Sequence, residues 1–215
     1  PPVNLSGVSA SLVPLDDPNR IQIEERHLPG FGDELAYIVG APPALIVMLA
    51  MIGGFGEPPD LILAGVNIGP NTGRSTLFSG TIGAVMTGAR FGRSGLATSL
   101  DVRPSAETTP VWSTATDLAT PLIRWLAAAP RPTMLNLNAP NLPRNEVRGF
   151  RQADLAPIGR VRTEITGRDA MGLDIDLVST SDEAPAGTDS ALLGEGYATV
   201  TSLEPIGQRE GHLPI

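Results

Sequence analysis

The sequence has no cysteine and no long apolar segment. Without cysteine, disulfide bonds and thiolate metal sites are excluded; the compartment is not settled by that absence, and the cytoplasm is the default expectation. The longest apolar run extends from Ala44 to Ile52, whereas a membrane-spanning helix needs roughly 20 residues. We therefore expect no membrane partner. The chain is long enough for one domain with a real core, or for one domain with an arm.

Positive charge is also scarce, because the chain contains no lysine and its formal net charge is -8. Binding to a nucleic-acid polymer depends on neutralising many phosphates with basic side chains. The acidic chain therefore argues against DNA or RNA as the main partner. It leaves room for one small phosphate ester held in a local site.

The clearest pattern that is present is a strand, a loop, a helix and a second strand. Asp60 to Val66 is predicted to be a strand, because it contains the apolar run Leu61 to Ala64 with Val66, a pattern typical of a strand covered on both faces. A polar loop from Asn67 to Ser79 follows, then a helix from about Thr81 to Phe91 and a strand from Gly95 to Leu100. This order is a βαβ unit. It predicts a doubly wound, mostly parallel α/β sheet with three layers, of the Rossmann-like kind.

The pattern continues and then changes character. A helix from about Pro110 to Ala128 and a buried strand from Met134 to Leu137 extend the α/β core. Two later segments, Val161 to Ile165 and Leu173 to Val178, alternate polar and apolar residues and predict a hairpin, and Tyr197 to Leu203 predicts a last strand.

We place a boundary near residue 145. Residues 1–145 are expected to form the α/β core, and residues 146–215 a C-terminal β-hairpin arm with a closing strand. A hairpin with little core of its own needs a partner surface, so the arm indicates oligomerisation of the chain with itself.

The polar loop carries the most chemical information. It leaves the carboxyl end of a buried strand, where open α/β sheets bind ligands. Its glycines let backbone N–H groups approach an oxyanion, Ser79 and Thr81 offer hydroxyl donors, and the following helix adds the partial positive charge of its N-terminus. These features allow a phosphate site, but on the residues alone one alternative fits them equally well. The alternative is a glycine-rich turn in which Ser79 only caps the helix.

Four ordered segments of the sequence resemble the SurE (survival protein E) family of nucleotidases. The strongest is the glycine loop with the Ser-Gly-Thr that follows it, and the other three are a first loop, an Asn-x-Asn-x-Pro strand end and a Gly-Thr-Asp motif followed by Gly-Tyr. The matching segments are Gly65 to Gly73 with Phe78 to Thr81, Pro2 to Ser9, Leu135 to Pro140, and Gly187 to Asp189 with Glu195 to Tyr197.

The resemblance implies a metal-dependent phosphomonoesterase, a 5′-nucleotidase or acid-phosphatase-like hydrolase that converts nucleoside monophosphates to nucleoside and phosphate. It implies that Ser6 and Asn67 are ligands of a divalent metal, Mg²⁺ or Mn²⁺, for which oxygen ligands are suited. It also implies a homodimer, or a tetramer. The residues expected to contact phosphate or substrate are Gly7, Asn71, Gly73, Ser79, Gly80 and Thr81.

The sequence departs from the family pattern at its start. The family begins with a strand that ends in Asn-Asp-Asp-Gly, whose paired aspartates bind the metal, and this sequence contains no such segment. We therefore expect the aspartates upstream of Pro1, with the first βα unit missing from the sequence given. Asp16-Asp17 is not a substitute, because it follows Ser6 and lies between Pro14 and Pro18, where a turn is favoured.

Two other functions remain open at this stage. A SurE-like binding or regulatory module, inactive as this truncated chain, is favoured by the absent aspartates. A dinucleotide-dependent enzyme is disfavoured, because the loop has asparagines where a Gly-x-Gly-x-x-Gly motif is required. Several charged residues are expected to be solvated rather than catalytic: Glu24, Glu25, His27, Arg74 and His212.

Overall fold

The structure is a computed structural model, and it describes residues 1–2, 7–30, 32, 34–102, 109–179 and 184–204. Its centre is a sheet formed by β3 (Leu61–Ile68), β4 (Ser94–Asp101), β5 (Met134–Pro140), β6 (Phe150–Gln152) and β9 (Ala198–Leu203). Strands β3, β4 and β5 run parallel, β9 is antiparallel to β5, and β6 is parallel to β9. The described order across the sheet is β3-β4-β5-β9-β6.

Helices cover both faces of this sheet. They are α1 (Pro43–Met51), α2 (Gly80–Arg90), α3 (Trp112–Ala128) and the short α4 (Asp189–Gly194). On one face lie α1 and α2, which pack over an apolar cluster that includes Ile62, Ala97 and Met134. On the other face α3 packs over a second cluster that includes Leu100 and Leu137. The doubly wound α/β fold with three layers is confirmed.

Two small antiparallel hairpins stand beside the main sheet. The first pairs β1 (Ile23–His27) with β2 (Leu35–Val39), and the second pairs β7 (Val161–Arg168) with β8 (Leu173–Ser179). Side chains of the second hairpin are largely exposed, and Ile175 is 67% exposed. The hairpin predicted from alternation is confirmed. Its role in oligomerisation stays a prediction.

The prediction that the strand ending at Val66 is buried is confirmed only in part: α2 and α3 contact its two faces, but Ile62 alone among the residues of β3 is buried. In the described sheet β3 is an edge strand whose described neighbour is β4. Leu63 and Ile68 are 54% and 59% exposed as a result. The continuous apolar run reported the hydrophobicity of the strand but not its place in the strand order.

The sheet includes strands from both sides of the boundary expected near residue 145. The chain returns to the sheet with β6, and β9 inserts between β5 and β6. The position of that boundary stays a prediction. The other element limits lie within a few residues of those expected, although β5 runs on through Pro140 and the polar loop contains a 3₁₀ helix, Gly73–Phe78.

Candidate phosphate site at the carboxyl edge of the sheet

The face of the sheet under α2 is apolar at one end and polar at the other. Ala97, Met134 and Leu203 share this face and pack beneath the helix. Two residues after Ala97 on β4, the same face carries Ser99, and two residues after Met134 on β5 it carries Asn136. The polar residues of this face that form hydrogen bonds with the loop are buried: Ser99, Asn136 and Asn138. Buried polar side chains need hydrogen-bond partners, and the loop between β3 and α2 supplies several of them.

The asparagines of β5 hold the middle of this loop through Asn71. The N–H of Asn71 donates to Asn138 Oδ1 at 2.7 Å. The carbonyl oxygen of Asn71 accepts from Asn138 Nδ2 at 3.0 Å and from Asn136 Nδ2 at 2.8 Å. Its side-chain amide donates to Ser99 Oγ at 2.7 Å. Within the described part of the chain, the other N–H of that amide has no acceptor and is available to a ligand, since the NH₂ group carries two donors.

The next part of the loop packs against the segment that follows β6. Arg74 N donates to Ala156 O at 3.1 Å, and Arg160 N donates to Thr72 Oγ1 at 3.1 Å. Gly73 has φ +60°, and a Cβ atom there would lie 2.7 Å from Ala156 O. Glycine is therefore required at this position by its backbone conformation and by the close approach of another segment.

A buried carboxylate completes this packing. Asp189 is 0% exposed, and its Oδ2 accepts from Gly73 N at 2.8 Å. Its Oδ1 accepts from Ala156 N at 3.0 Å and from Ser190 N at 2.7 Å. Burial raises the pKa of Asp189, while the backbone N–H donors of Gly73, Ala156 and Ser190 oppose the rise. The N–H of Gly73 points inward to Asp189, and so it is engaged before any ligand arrives.

The loop ends at the N-terminus of α2. Ser79 Oγ accepts from Ile82 N at 3.2 Å, which makes Ser79 the helix cap. The cap uses the oxygen of the hydroxyl as acceptor and leaves its hydrogen free to donate. Among the described residues, the first-turn N–H groups of Gly80 and Thr81 donate to no other group. Capping and anion binding by Ser79 are therefore compatible.

The segment after Ser6 packs on this helix terminus. Ser9 N donates to Phe78 O at 3.0 Å, and Ser9 Oγ donates to Leu77 O at 2.7 Å. A Cβ atom on Gly83 would lie 2.7 Å from Ser9 O. The chain around Gly7 and the Ser-Gly-Thr of α2 are therefore brought together. Ser6 lies outside the described residues, so its distance from Asn67 stays a prediction.

The described residues supply only part of a metal site. Asn67 lies near the end of β3, where its side-chain nitrogen donates to Ile68 O at 3.1 Å and to Gly69 O at 2.7 Å. The Oδ1 of Asn67 accepts no hydrogen bond within the described part of the chain, and an amide oxygen suits a hard cation. In the same described residues, no group of three His, Cys, Asp or Glu side chains could hold a metal ion. They therefore offer one ligand and not a complete donor set.

The residues expected to be solvated are exposed where they are described. Glu24, Glu25, His27 and Arg74 are all exposed, and His212 lies outside the described residues. Asp17 lies in a turn in which its Oδ1 accepts from Asn19 N at 2.7 Å. The turn predicted for Asp16-Asp17 is confirmed, and both aspartates are exposed.

An apolar pocket of about 330 Å³ lies elsewhere, beside α1. Its lining is dominated by leucine, isoleucine and proline, and it shares no residue with the loop between β3 and α2. Asn19 supplies the one polar side chain of this lining, so the pocket lacks the converging donors that a phosphate requires. Among the described residues, no helix is long and apolar enough to cross a membrane.

The sequence patterns did not predict an ion pair that lies beside the loop. Asp101 ends β4, and its Oδ2 lies 3.7 Å from Arg160 Nη2, with the two side chains 9% and 16% exposed. Arg160 also donates from Nη1 to Ser190 O at 2.8 Å. No local pattern marks such a pair, because its members are separated along the chain and meet only when β4 and the segment after β6 are assembled.

Comparison with known proteins points to one family. The sequence profile described as "Survival protein SurE" matches residues 1–163. A protein of Aeromonas hydrophila named 5′-nucleotidase SurE is 32% identical over 209 residues, which cover 94% of this chain and 79% of that protein. Another of the same name from Nitrosococcus oceani is 33% identical over 205 residues, with 93% and 76% coverage.

A solved structure agrees with these sequence matches. The crystal structure of the SurE protein from Aquifex aeolicus superposes with a TM-score of 0.69 at 27% sequence identity. The match covers 93% of this chain and 78% of that one.

Proposed function

The chain belongs to the survival protein SurE family, and from that premise we propose that it is a hydrolase that removes phosphate from nucleoside monophosphates. The proposal is supported by three kinds of donor that the loop and the N-terminus of α2 carry. These are the Ser79 hydroxyl, the first-turn N–H groups of Gly80 and Thr81, and the free amide N–H of Asn71. The names of the relatives, 5′-nucleotidase SurE, support a nucleotide as the substrate.

The donors suit the transition state of phosphoryl transfer. Negative charge is spread over the non-bridging oxygens of the phosphoryl group, and fixed donors stabilise that charge without reorganising. The loop is fixed before substrate arrives, because Asn136 and Asn138 hold Asn71. We propose that Gly7 contributes to this set as well, since Ser9, two residues further along the chain, packs on the end of the loop.

We further propose that the reaction depends on Mg²⁺ or Mn²⁺. Asn67 would supply an amide oxygen to the cation, and Ser6 would supply a hydroxyl. A hard cation at this place polarises a phosphoryl oxygen and helps to orient an attacking water. The paired aspartates that the family resemblance assigns to the metal match no residues of this sequence, so no step is derived through them.

Substitutions of Asn67 test the metal assignment. Asn67→Leu removes the oxygen ligand, and we expect the metal concentration for half-maximal phosphate release to rise at least about tenfold, as for loss of one supporting ligand. Asn67→Asp keeps an oxygen and should keep the metal requirement near that of the wild type. The matched control is Asn141→Leu, because Asn141 holds Val111 and Thr109 rather than the loop. An unchanged metal requirement in Asn67→Leu would remove Asn67 from the site.

A binding module without turnover is the second candidate. The donors of the loop and of the N-terminus of α2 would hold a phosphate with or without turnover, so the described geometry is compatible with this candidate. It predicts that a nucleoside monophosphate binds at the loop and that no phosphate is released with either metal.

The homodimer or tetramer, formed through the β7–β8 arm of residues 146–215, and the cytoplasmic location stay predictions. Sedimentation at micromolar protein concentration tests the oligomer, and a single species of monomer mass would contradict it.

A further inference from the structure

We propose that Asp189 is a positioning residue for the phosphate site, and that its carboxylate sets the place of the 3₁₀ helix that delivers Ser79. The idea deepens the proposed function and rests on it. Asp189 begins α4 and lies 116 residues beyond Gly73 along the chain. It contacts no ligand-facing donor itself. Its effect on the site passes through Gly73.

The carboxylate joins three separate segments. Its Oδ2 holds Gly73 in the loop, and its Oδ1 holds both Ala156 and Ser190. Ala156 is joined to the loop a second time, because its carbonyl oxygen accepts from Arg74 N at 3.1 Å. The loop, the segment after β6 and the start of α4 therefore form one hydrogen-bonded unit around a buried carboxylate.

The 3₁₀ helix transmits this position to the site. It begins at Gly73, held by Asp189, and ends at Phe78, directly before the capping residue Ser79. A 3₁₀ helix rises about 2 Å per residue, so its six residues make a rigid connection of roughly 12 Å. A shift of Gly73 is therefore carried to the hydroxyl of Ser79 and to the first turn of α2.

An amide cannot replace this carboxylate. Both oxygens of Asp189 face backbone N–H donors, and Asn would present its NH₂ group to one of them. If the amide oxygen stays with Ala156 and Ser190, two N–H groups oppose each other at Gly73. A single change from Asp189 to Asn therefore releases the loop while leaving the volume of the side chain unchanged.

The matched control is Thr201→Val. Thr201 is 5% exposed, and its Oγ1 donates to Ala153 O at 2.9 Å. Like Asp189, it ties the segment after β6 to the rest of the fold, but it has no hydrogen bond to the loop. Both variants lose a buried hydrogen bond, and only Asp189→Asn loses one that reaches Gly73.

The test combines hydrogen exchange with binding of inorganic phosphate to the purified protein. In Asp189→Asn we expect the amides of Gly73 and Arg74 to exchange at least about tenfold faster, because losing a bond to a charged acceptor shifts local opening by that amount or more. We expect the dissociation constant for phosphate to rise about tenfold or more, with cooperative unfolding retained. In Thr201→Val neither quantity should change.

Equal changes in both variants, or no change at Gly73 in Asp189→Asn, would overturn the proposal. If Asp189→Asn does not fold, amide hydrogen exchange of the wild type at increasing denaturant concentrations tests the proposal instead. The amides of Gly73 and Ala156 should then open with one common free energy, and separate free energies overturn the proposal. Failure of the proposed function is seen separately, as the absence of phosphate release from nucleotides by the wild type, and leaves the exchange result intact.

Discussion

Substitution of Gly73 by alanine tests how tightly the loop is packed. Gly73 has φ +60°, where an L-residue is strained by about 1–2 kcal/mol. The added Cβ would also lie 2.7 Å from Ala156 O and 2.8 Å from Gly159 N. Contacts of that length must be relieved by movement of backbone, which typically costs about 1–3 kcal/mol. We therefore expect a loss of about 2–5 kcal/mol in the free energy of unfolding.

Gly92 offers the matched control. It has φ +73°, and a Cβ atom there would meet nothing within 4 Å. Gly92→Ala therefore carries the strain of the positive φ without the steric contact, and it should lose only about 1–2 kcal/mol. The change that alanine makes in the unfolded chain is common to both variants. The difference between the variants, about 1–3 kcal/mol, isolates the packing of the loop against Ala156 and Gly159.

The assay is urea unfolding of the wild type and both variants at one temperature. The dependence of the free energy of unfolding on urea concentration should have the same slope in all three proteins, which verifies that they unfold in the same transition. Titration of the same samples with inorganic phosphate measures the affinity of the site, and we expect weaker binding only in Gly73→Ala. Equal losses of stability in the two variants, with phosphate binding unchanged, would refute the packing described for the loop.

Three further changes test other parts of the site. Asn138→Ala leaves the N–H of Asn71 without its partner, so we expect a loss of about 1–3 kcal/mol and weaker phosphate binding, whereas Asn141→Ala should leave phosphate binding unchanged. Ser79→Ala removes the helix cap and should lower the free energy of unfolding by about 1 kcal/mol, whereas Ser79→Gly should lower it by only a few tenths. Both variants should weaken phosphate binding, and full binding in Ser79→Gly would show that the hydroxyl serves only as a cap. Because burial raises the pKa of Asp189 above 3.8, the folded state binds that proton more tightly than the unfolded chain. The free energy of unfolding therefore falls as pH rises from 3.8 through the raised pKa, and an equal slope in Asp189→Asn would contradict this.

Local patterns of the sequence were sufficient for the elements around the site. The apolar run of β3, the glycine-rich loop and the helix α2 occur in the expected order. These features depend on neighbours along the chain. They could therefore be predicted from the sequence alone.

Features that depend on the order of strands could not be predicted in this way. The exposure of Leu63 and Ile68 follows from the edge position of β3, and the apolar run itself carries no such information. The insertion of β9 between β5 and β6 is likewise a property of the assembled sheet.

The supports of the site were hidden for the same reason. Asn71 was expected to face phosphate, yet most of its hydrogen bonds hold it to β4 and β5, 28 to 67 residues away. Gly73 was expected to face phosphate as well, and its N–H is instead taken by Asp189. The Gly-Thr-Asp motif was visible as a resemblance, but its carboxylate acquires a role only when α4 lies beside the loop.

The most direct measurement is the release of phosphate and nucleoside from a nucleoside 5′-monophosphate by the purified protein with Mn²⁺ or Mg²⁺. We predict equal amounts of the two products, loss of both on chelation of the metal, and recovery when metal is restored. Binding of the nucleotide without release of phosphate, with either metal, would contradict the proposed hydrolase and favour a binding module.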